Sequence, residues 1–230
     1  MTRERRSMKT PAARGWLVFL LVCSALFLVV GCQRTTSGGP VDSTGVIPSE
    51  RGERELLAEI EKKFENPQAH YELGRLYARS GKWAKAEYHY NVALGFDPAL
   101  RAAQAGVVQL FIDQGQKAKG EQYASGYIRQ ISTNDQELLR LAWEFEKLGL
   151  DEYALRCFRQ ALVVAPDSYD VNKQVGFYYL GKNDTAKARQ YLSRSFELNP
   201  RQPDVAGALG RLGVVVESPE APPMTMEKKR

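Results

Sequence analysis

The side chains best suited to chemistry are few. The chain carries two histidines, His70 and His89, and three cysteines, Cys23, Cys32 and Cys157. No two of the cysteines have metal-ligand spacing, and Cys32 and Cys157 alone cannot make a disulfide framework. The sequence contains no His-Glu-x-x-His, no Gly-x-Ser-x-Gly and no phosphate-binding loop. Gly106, Gly115 and Gly120 do not follow phosphate-binding spacing. Charged residues make up 26% of the chain, so carboxylates at helical spacing are expected on solvated faces. The reading is of a chain without catalysis, metal or cofactor. His70 is expected to pack, His89 to face solvent, and Cys157 to be a small, partly buried residue. Cys32 differs from the rest because it closes an apolar run.

That run, Trp16 to Val30, is 15 uncharged residues preceded by Arg3, Arg5, Arg6, Lys9 and Arg14. As a helix it would reach roughly 22 Å, short of a hydrocarbon core of about 30 Å. A basic start followed by a short apolar run is the pattern of a cleaved leader. Met1 and Met8 are both candidate initiators. The net charge is +5, but residues 1–31 hold five bases against Glu4, leaving 27 basic and 26 acidic residues beyond them. A nearly neutral remainder gives no electrostatic reason to bind nucleic acid.

Val29-Val30-Gly31-Cys32 resembles the bacterial lipobox, with Val29 where leucine is commoner. The resemblance implies acylation of the Cys32 thiol and cleavage before it, so that 1–31 is a lipoprotein signal peptide and Cys32 the lipidated first residue. An uncleaved signal anchor is the alternative. The resemblance also implies a place in the bacterial cell envelope. Gln33 favours the outer membrane, facing the periplasm, if the organism has one. Residues 32–51 are rich in Gly, Ser, Thr and Pro and read as a flexible tether. Arg34 to Arg51 would span on the order of 25 Å.

Beyond the tether the chain repeats itself. Leu73, Gly74, Tyr77, Gly81, Ala86, Tyr90, Ala93 and Pro98 recur as Leu141, Ala142, Phe145, Gly149, Ala154, Phe158, Ala161 and Pro166. They return as Val175, Gly176, Tyr179, Asn183, Ala188, Leu192, Ser195 and Pro200. A period of 34 fits without insertion. Positions such as Leu73 and Tyr77 share a buried helical face, the small residues let two helices approach, and Gly81 suits a left-handed turn. The pattern resembles the tetratricopeptide repeat. The resemblance implies an all-α, right-handed α-solenoid of about four helix–turn–helix units, 67–100, 101–134, 135–168 and 169–202. The second is degenerate, because Ala124 and Tyr127 reverse the large and small positions. Capping helices are expected over 52–64 and 203–213, making a domain of 52–214, and residues 215–230 read as a disordered tail.

The same resemblance implies a concave groove lined by the first helix of each unit. Its inward positions here are Tyr71, Arg75 and Arg79; Gln109, Ile112 and Asp113; Leu139, Arg140, Trp143, Glu146 and Lys147; and Lys173, Gln174, Phe177 and Leu180. Aromatic and arginine side chains are favoured anchors at interfaces. Packing between neighbouring helices is the alternative for Trp143 and Phe177. The clamp that holds chaperone C-termini has no counterpart in Tyr71, Arg75, Gly106 and Gln136, and only Arg140 matches it. The expected function is a lipid-anchored, non-enzymatic scaffold or adaptor that binds a protein or peptide segment. Lipoproteins of similar layout include pilotins that escort secretins and adaptors for envelope hydrolases. An accessory to an envelope enzyme is the rival reading.

Overall fold

A computed structural model describes residues 48–216 of the chain. The leader 1–31, Cys32, the tether to residue 47 and the tail beyond 216 lie outside the described residues. The expected tether boundary at 51 shifts. Helix α1 spans Pro48–Lys62 and takes residues 48–51 from it. Proline is favoured at a helix start because its fixed φ suits the first turn, where its missing N–H has no partner to lose.

Four helix pairs follow, α2 (Pro67–Arg79) with α3 (Trp83–Phe96), α4 (Arg101–Asp113) with α5 (Lys117–Gln130), α6 (Asp135–Lys147) with α7 (Asp151–Val164), and α8 (Tyr169–Gly181) with α9 (Thr185–Leu198). A final helix, α10 (Pro203–Arg211), starts in phase with α8 and has no partner helix among the described residues. The chain between 48 and 216 is thus all-α, stacked pair on pair. Residues 215–216 are not wholly detached, since Val216 packs against the last apolar cluster.

Local chemistry explains the punctuation. Asn66, Asn134 and Ser168 each accept from the N–H three residues on, at 3.1, 3.1 and 3.3 Å, and so cap α2, α6 and α8. Leu100 supplies no such bond to α4. At the far end of α2, Lys82 N–H donates to Tyr77 C=O at 2.9 Å and Gly81 N–H to Ala78 C=O at 3.0 Å. This Schellman closure needs one left-handed residue. Gly81, Gly115, Gly149 and Asn183 fill that place with φ of 69°, 75°, 72° and 60°.

Packing depends on small residues opposite large ones. A Cβ on Gly74 would lie 2.8 Å from the Tyr90 ring and 3.3 Å from Ala86 C=O, and one on Gly176 would lie 2.7 Å from Leu192. In the second unit the sizes trade places. Val108 on α4 and Ala124 on α5 are both fully buried, and Phe111 stacks on Tyr123 at 5.1 Å. The degenerate sequence therefore keeps the helix contact by exchanging volumes, which buried cores tolerate. Tyr90 also reaches the next unit, where a Cβ on Gly106 would meet its ring at 2.9 Å.

Helix α1 is fastened over the first pair. Tyr77 Oη donates to Glu53 Oε1 at 2.8 Å, and Lys82 lies 3.6 Å from the same carboxyl group. The bond from Tyr77 holds the Glu53 carboxyl below its ordinary range, while burial pushes the phenol to about 12. Cys157 is fully buried, more so than expected, and burial raises its thiol to about 12.

Gly74→Ala and Gly176→Ala should each destabilise the fold by about 1–3 kcal/mol, since neither helix can withdraw without loss of packing. Gly126 in α5 has nothing within 4 Å of an added Cβ. Gly126→Ala should therefore stabilise by about 0.5–1 kcal/mol through helix propensity alone. Urea unfolding of the three variants checks the opposite signs.

Candidate functional site

The first helices of consecutive units lie side by side, and a large cleft runs across α2, α4 and α6. It encloses about 840 Å³. Tyr71, Arg75 and Arg79 line it from α2, Gln109 and Asp113 from α4, and Arg140, Trp143 and Lys147 from α6. A smaller cleft of about 190 Å³ opens between α6 and α8 and takes in Leu139, Trp143, Glu146, Gln174 and Phe177. Trp143 lines both and is 58% exposed, the most open aromatic residue of the first helices.

Several expected groove residues are placed otherwise. Ile112 faces α5, where its Cγ1 would lie 3.1 Å from a Cβ on Gly120, and it packs into the core. The absence of a side chain on Gly120 opens that space. Leu139 is only 7% exposed and belongs to the central core, though its edge reaches the small cleft. Lys173 lines neither cleft, because its Nζ pairs with Asp204 Oδ2 at 2.6 Å and ties α8 to α10. Leu180 packs into the C-terminal apolar cluster with Phe177. Phe177 thus serves both packing and the small cleft.

The large cleft is mixed in charge, and its arginines are partly spoken for. Arg75 pairs with Glu72, and Arg140 Nη1 with Glu137 Oε1 at 2.8 Å. Lys147 Nζ lies 3.5 Å from the centre of the Trp143 ring and 3.0 Å from Glu144. Burial raises the Tyr71 phenol, partly opposed by the neighbouring Arg75. Residues outside the expected set also line this cleft. Glu72 and Gly106 occupy the same helical turn as Tyr71 and Gln109, so the inward register could have found them. Asp97 and Leu100 come from the connection between units, which the helix-face pattern does not reach, and Arg101 is the first residue of α4. Arg101 Nε donates to Glu137 Oε2 at 2.9 Å and links the second unit to the third.

The two histidines contact each other, and His89 is not simply solvated. His70 is fully buried, with Nε2 at 3.0 Å from Phe64 C=O and Nδ1 at 3.0 Å from His89 Nδ1. A carbonyl only accepts, so Nε2 of His70 carries the proton and its Nδ1 accepts from His89. His70 thus does more than pack. Gln104 Nε2 donates to Pro98 C=O at 2.8 Å and Asn172 Nδ2 to Pro166 C=O at 2.9 Å, both from the position that His70 holds in its unit. A buried donor at the fourth residue of three units answers the carbonyl six residues upstream. Leu138 breaks that pattern in the third.

The described helices define a helical-repeat protein whose first helices present a cleft. Residues 67–100, the α2–α3 pair, match the tetratricopeptide repeat family model. The other three pairs copy its helix starts at intervals of 34. Comparison with curated proteins gives no match. Among solved structures the chain is similar to pilF of Pseudomonas aeruginosa, with 22% identity, 70% of this chain and 69% of that one covered, and a TM-score of 0.36. YrrB, a TPR protein with an unusual peptide-binding site, is 16% identical over 70% of this chain and 82% of its own, with a TM-score of 0.37. A thermophilic TPR protein from Thermus thermophilus is 15% identical over 71% of this chain and 90% of its own, with a TM-score of 0.40. Among the described residues no group of three or more His, Cys, Asp or Glu is placed to hold a metal ion, and no helix is long and apolar enough to cross a membrane.

Burial holds both imidazoles below the ordinary 6.5, His89 at about 4. The unfolded chain therefore binds more protons between those values. Stability should fall as pH is lowered from about 6.5 to about 4, by an amount on the order of 1 kcal/mol once the partial exposure of His89 is discounted. Above that window the pair should add no slope. Urea unfolding at stepped pH checks this, with a flatter profile expected for His89→Gln.

Proposed function

We propose that the chain is a non-enzymatic protein-binding scaffold or adaptor that holds an extended or helical partner segment in the cleft of its first helices. One observation carries the reading. Tyr71, Arg75 and Arg79 of the first unit and Trp143 of the third line one cleft of about 840 Å³, with Trp143 largely uncovered. Large aromatic and arginine side chains gathered in a concave surface are the anchors from which protein interfaces draw most of their energy. A partner would stack on the indole and meet both signs of charge along the cleft. Tyr71→Ala/Trp143→Ala should remove a subset of partners captured from envelope extracts while leaving the far-UV circular dichroism unchanged. An unchanged partner set would overturn the groove assignment.

The second part of the proposal is the address. The lipobox-like Val29-Val30-Gly31-Cys32 and the polar, Gly- and Pro-containing segment after it support a lipid anchor at Cys32 in the bacterial cell envelope, at the outer membrane facing the periplasm where one exists. More than one acyl chain is needed for stable anchoring. Intact-mass measurement of the membrane-extracted chain should show a mature protein starting at acylated Cys32, and Cys32→Ser should abolish both cleavage and acylation. An intact residue 1 or an unmodified Cys32 would remove the anchor.

A further inference from the structure

The smaller cleft has a chemistry of its own. Its volume of about 190 Å³ compares with the roughly 150 Å³ cavity that accommodates benzene, so it admits one side chain and not a strand or helix. Trp143, Phe158, Phe177 and Tyr178 supply aromatic walls, and Glu146 and Gln174 are its polar members. Aromatic faces are electronegative. Among the described ion pairs none includes Glu146. Burial raises its carboxyl above the ordinary range, opposed by the charge of Lys182. Lys182, however, is committed to Asp151, with Nζ at 2.6 Å from Oδ1. Glu146, Asp151 and Lys182 together leave one negative charge beside four aromatic rings.

The competing occupants fare worse. A leucine or phenylalanine would fill the space but cover the Glu146 carboxylate without a partner, which costs more than the apolar contact requires. An acidic side chain would be repelled. A cation answers the carboxylate and the ring faces together. The Trp143 indole already draws one cation, Lys147, but that lysine lines the larger cleft and pairs with Glu144. Arginine suits the site better than lysine, since a planar guanidinium both stacks on an indole and forks to a carboxylate.

We propose that this pocket between α6 and α8 is a specificity pocket for a cationic side chain of the partner segment, arginine foremost, seated on Trp143 and Phe177 and bonded to Glu146. The inference rests on the scaffold reading above and adds to it the chemistry that selects the partner.

A dodecapeptide phage library panned on the full-length chain in mild detergent tests it. Selected peptides should share an arginine or lysine at one aligned position. Replacing that arginine by citrulline in the synthetic peptide should weaken binding by about tenfold, the scale of a lost charge-assisted hydrogen bond. Glu146→Gln should weaken the arginine peptide to the same degree and leave the citrulline peptide unaffected. Equal affinity for both peptides, or an equal loss for both on Glu146→Gln, overturns the pocket. Peptides that depend on Trp143 and Tyr71 yet carry no basic residue leave the scaffold reading standing and remove this one. Failure to enrich any peptide removes both.

Discussion

Each helix pair closes where a small residue on one helix leaves space for a large one on the other. Gly74 receives the Tyr90 ring and Gly176 receives Leu192, at distances that leave no space for even one methyl group. In the second unit the sizes are exchanged, with Val108 and Ala124 both fully buried. Because Tyr90 extends to Gly106, the same side chain that sets the spacing within the first pair also sets its distance from the second. Interhelix distance is thus handed along the stack by volume. The separation of the first helices, and with it the width of the large cleft, follows from packed residues, of which Tyr90 and Gly106 also line the cleft.

Polar groups follow the same period. The donors at His70, Gln104 and Asn172 are chemically unlike, yet each answers a carbonyl at the end of the preceding unit. A buried carbonyl without a donor is costly, so the junction between units tolerates imidazole or amide there. Imidazole brings a property the amides lack. It gains a proton in mild acid, and the contact with His89 places two such groups against each other near the fastening of α1. The N-terminal end of the stack is therefore more sensitive to acid than a junction closed by glutamine or asparagine.

The groove was legible in the sequence as a set of helical positions and less so as a surface. Tyr71, Arg75, Arg79, Gln109, Arg140, Trp143 and Lys147 line the large cleft as the inward register requires. Ile112, Leu139 and Leu180 share that register and pack inward instead, because a helix step of about 100° leaves positions at the edge of the buried face. A neighbour's size decides which way they turn, and Gly120 draws Ile112 inward. Lys173 is decided by charge, since Asp204 on α10 lies within reach. The local neighbourhood of His89 was equally hidden, because its partner is 19 residues away on another helix.

The sequence by itself determined the helices, their turns and their period. Those depend on interactions within a few residues: side-chain caps, left-handed closures at Gly81 and its counterparts, and apolar residues on one face. The segment around Cys32 is likewise read only from its sequence. Tertiary structure alone decided which side chains remain open. It joined Trp143 to two clefts, left Glu146 among aromatic rings, and paired the two histidines. Exposure and charge compensation depend on what the neighbouring unit brings into contact, and contacts across the stack depend on packed volumes that a repeat period does not encode.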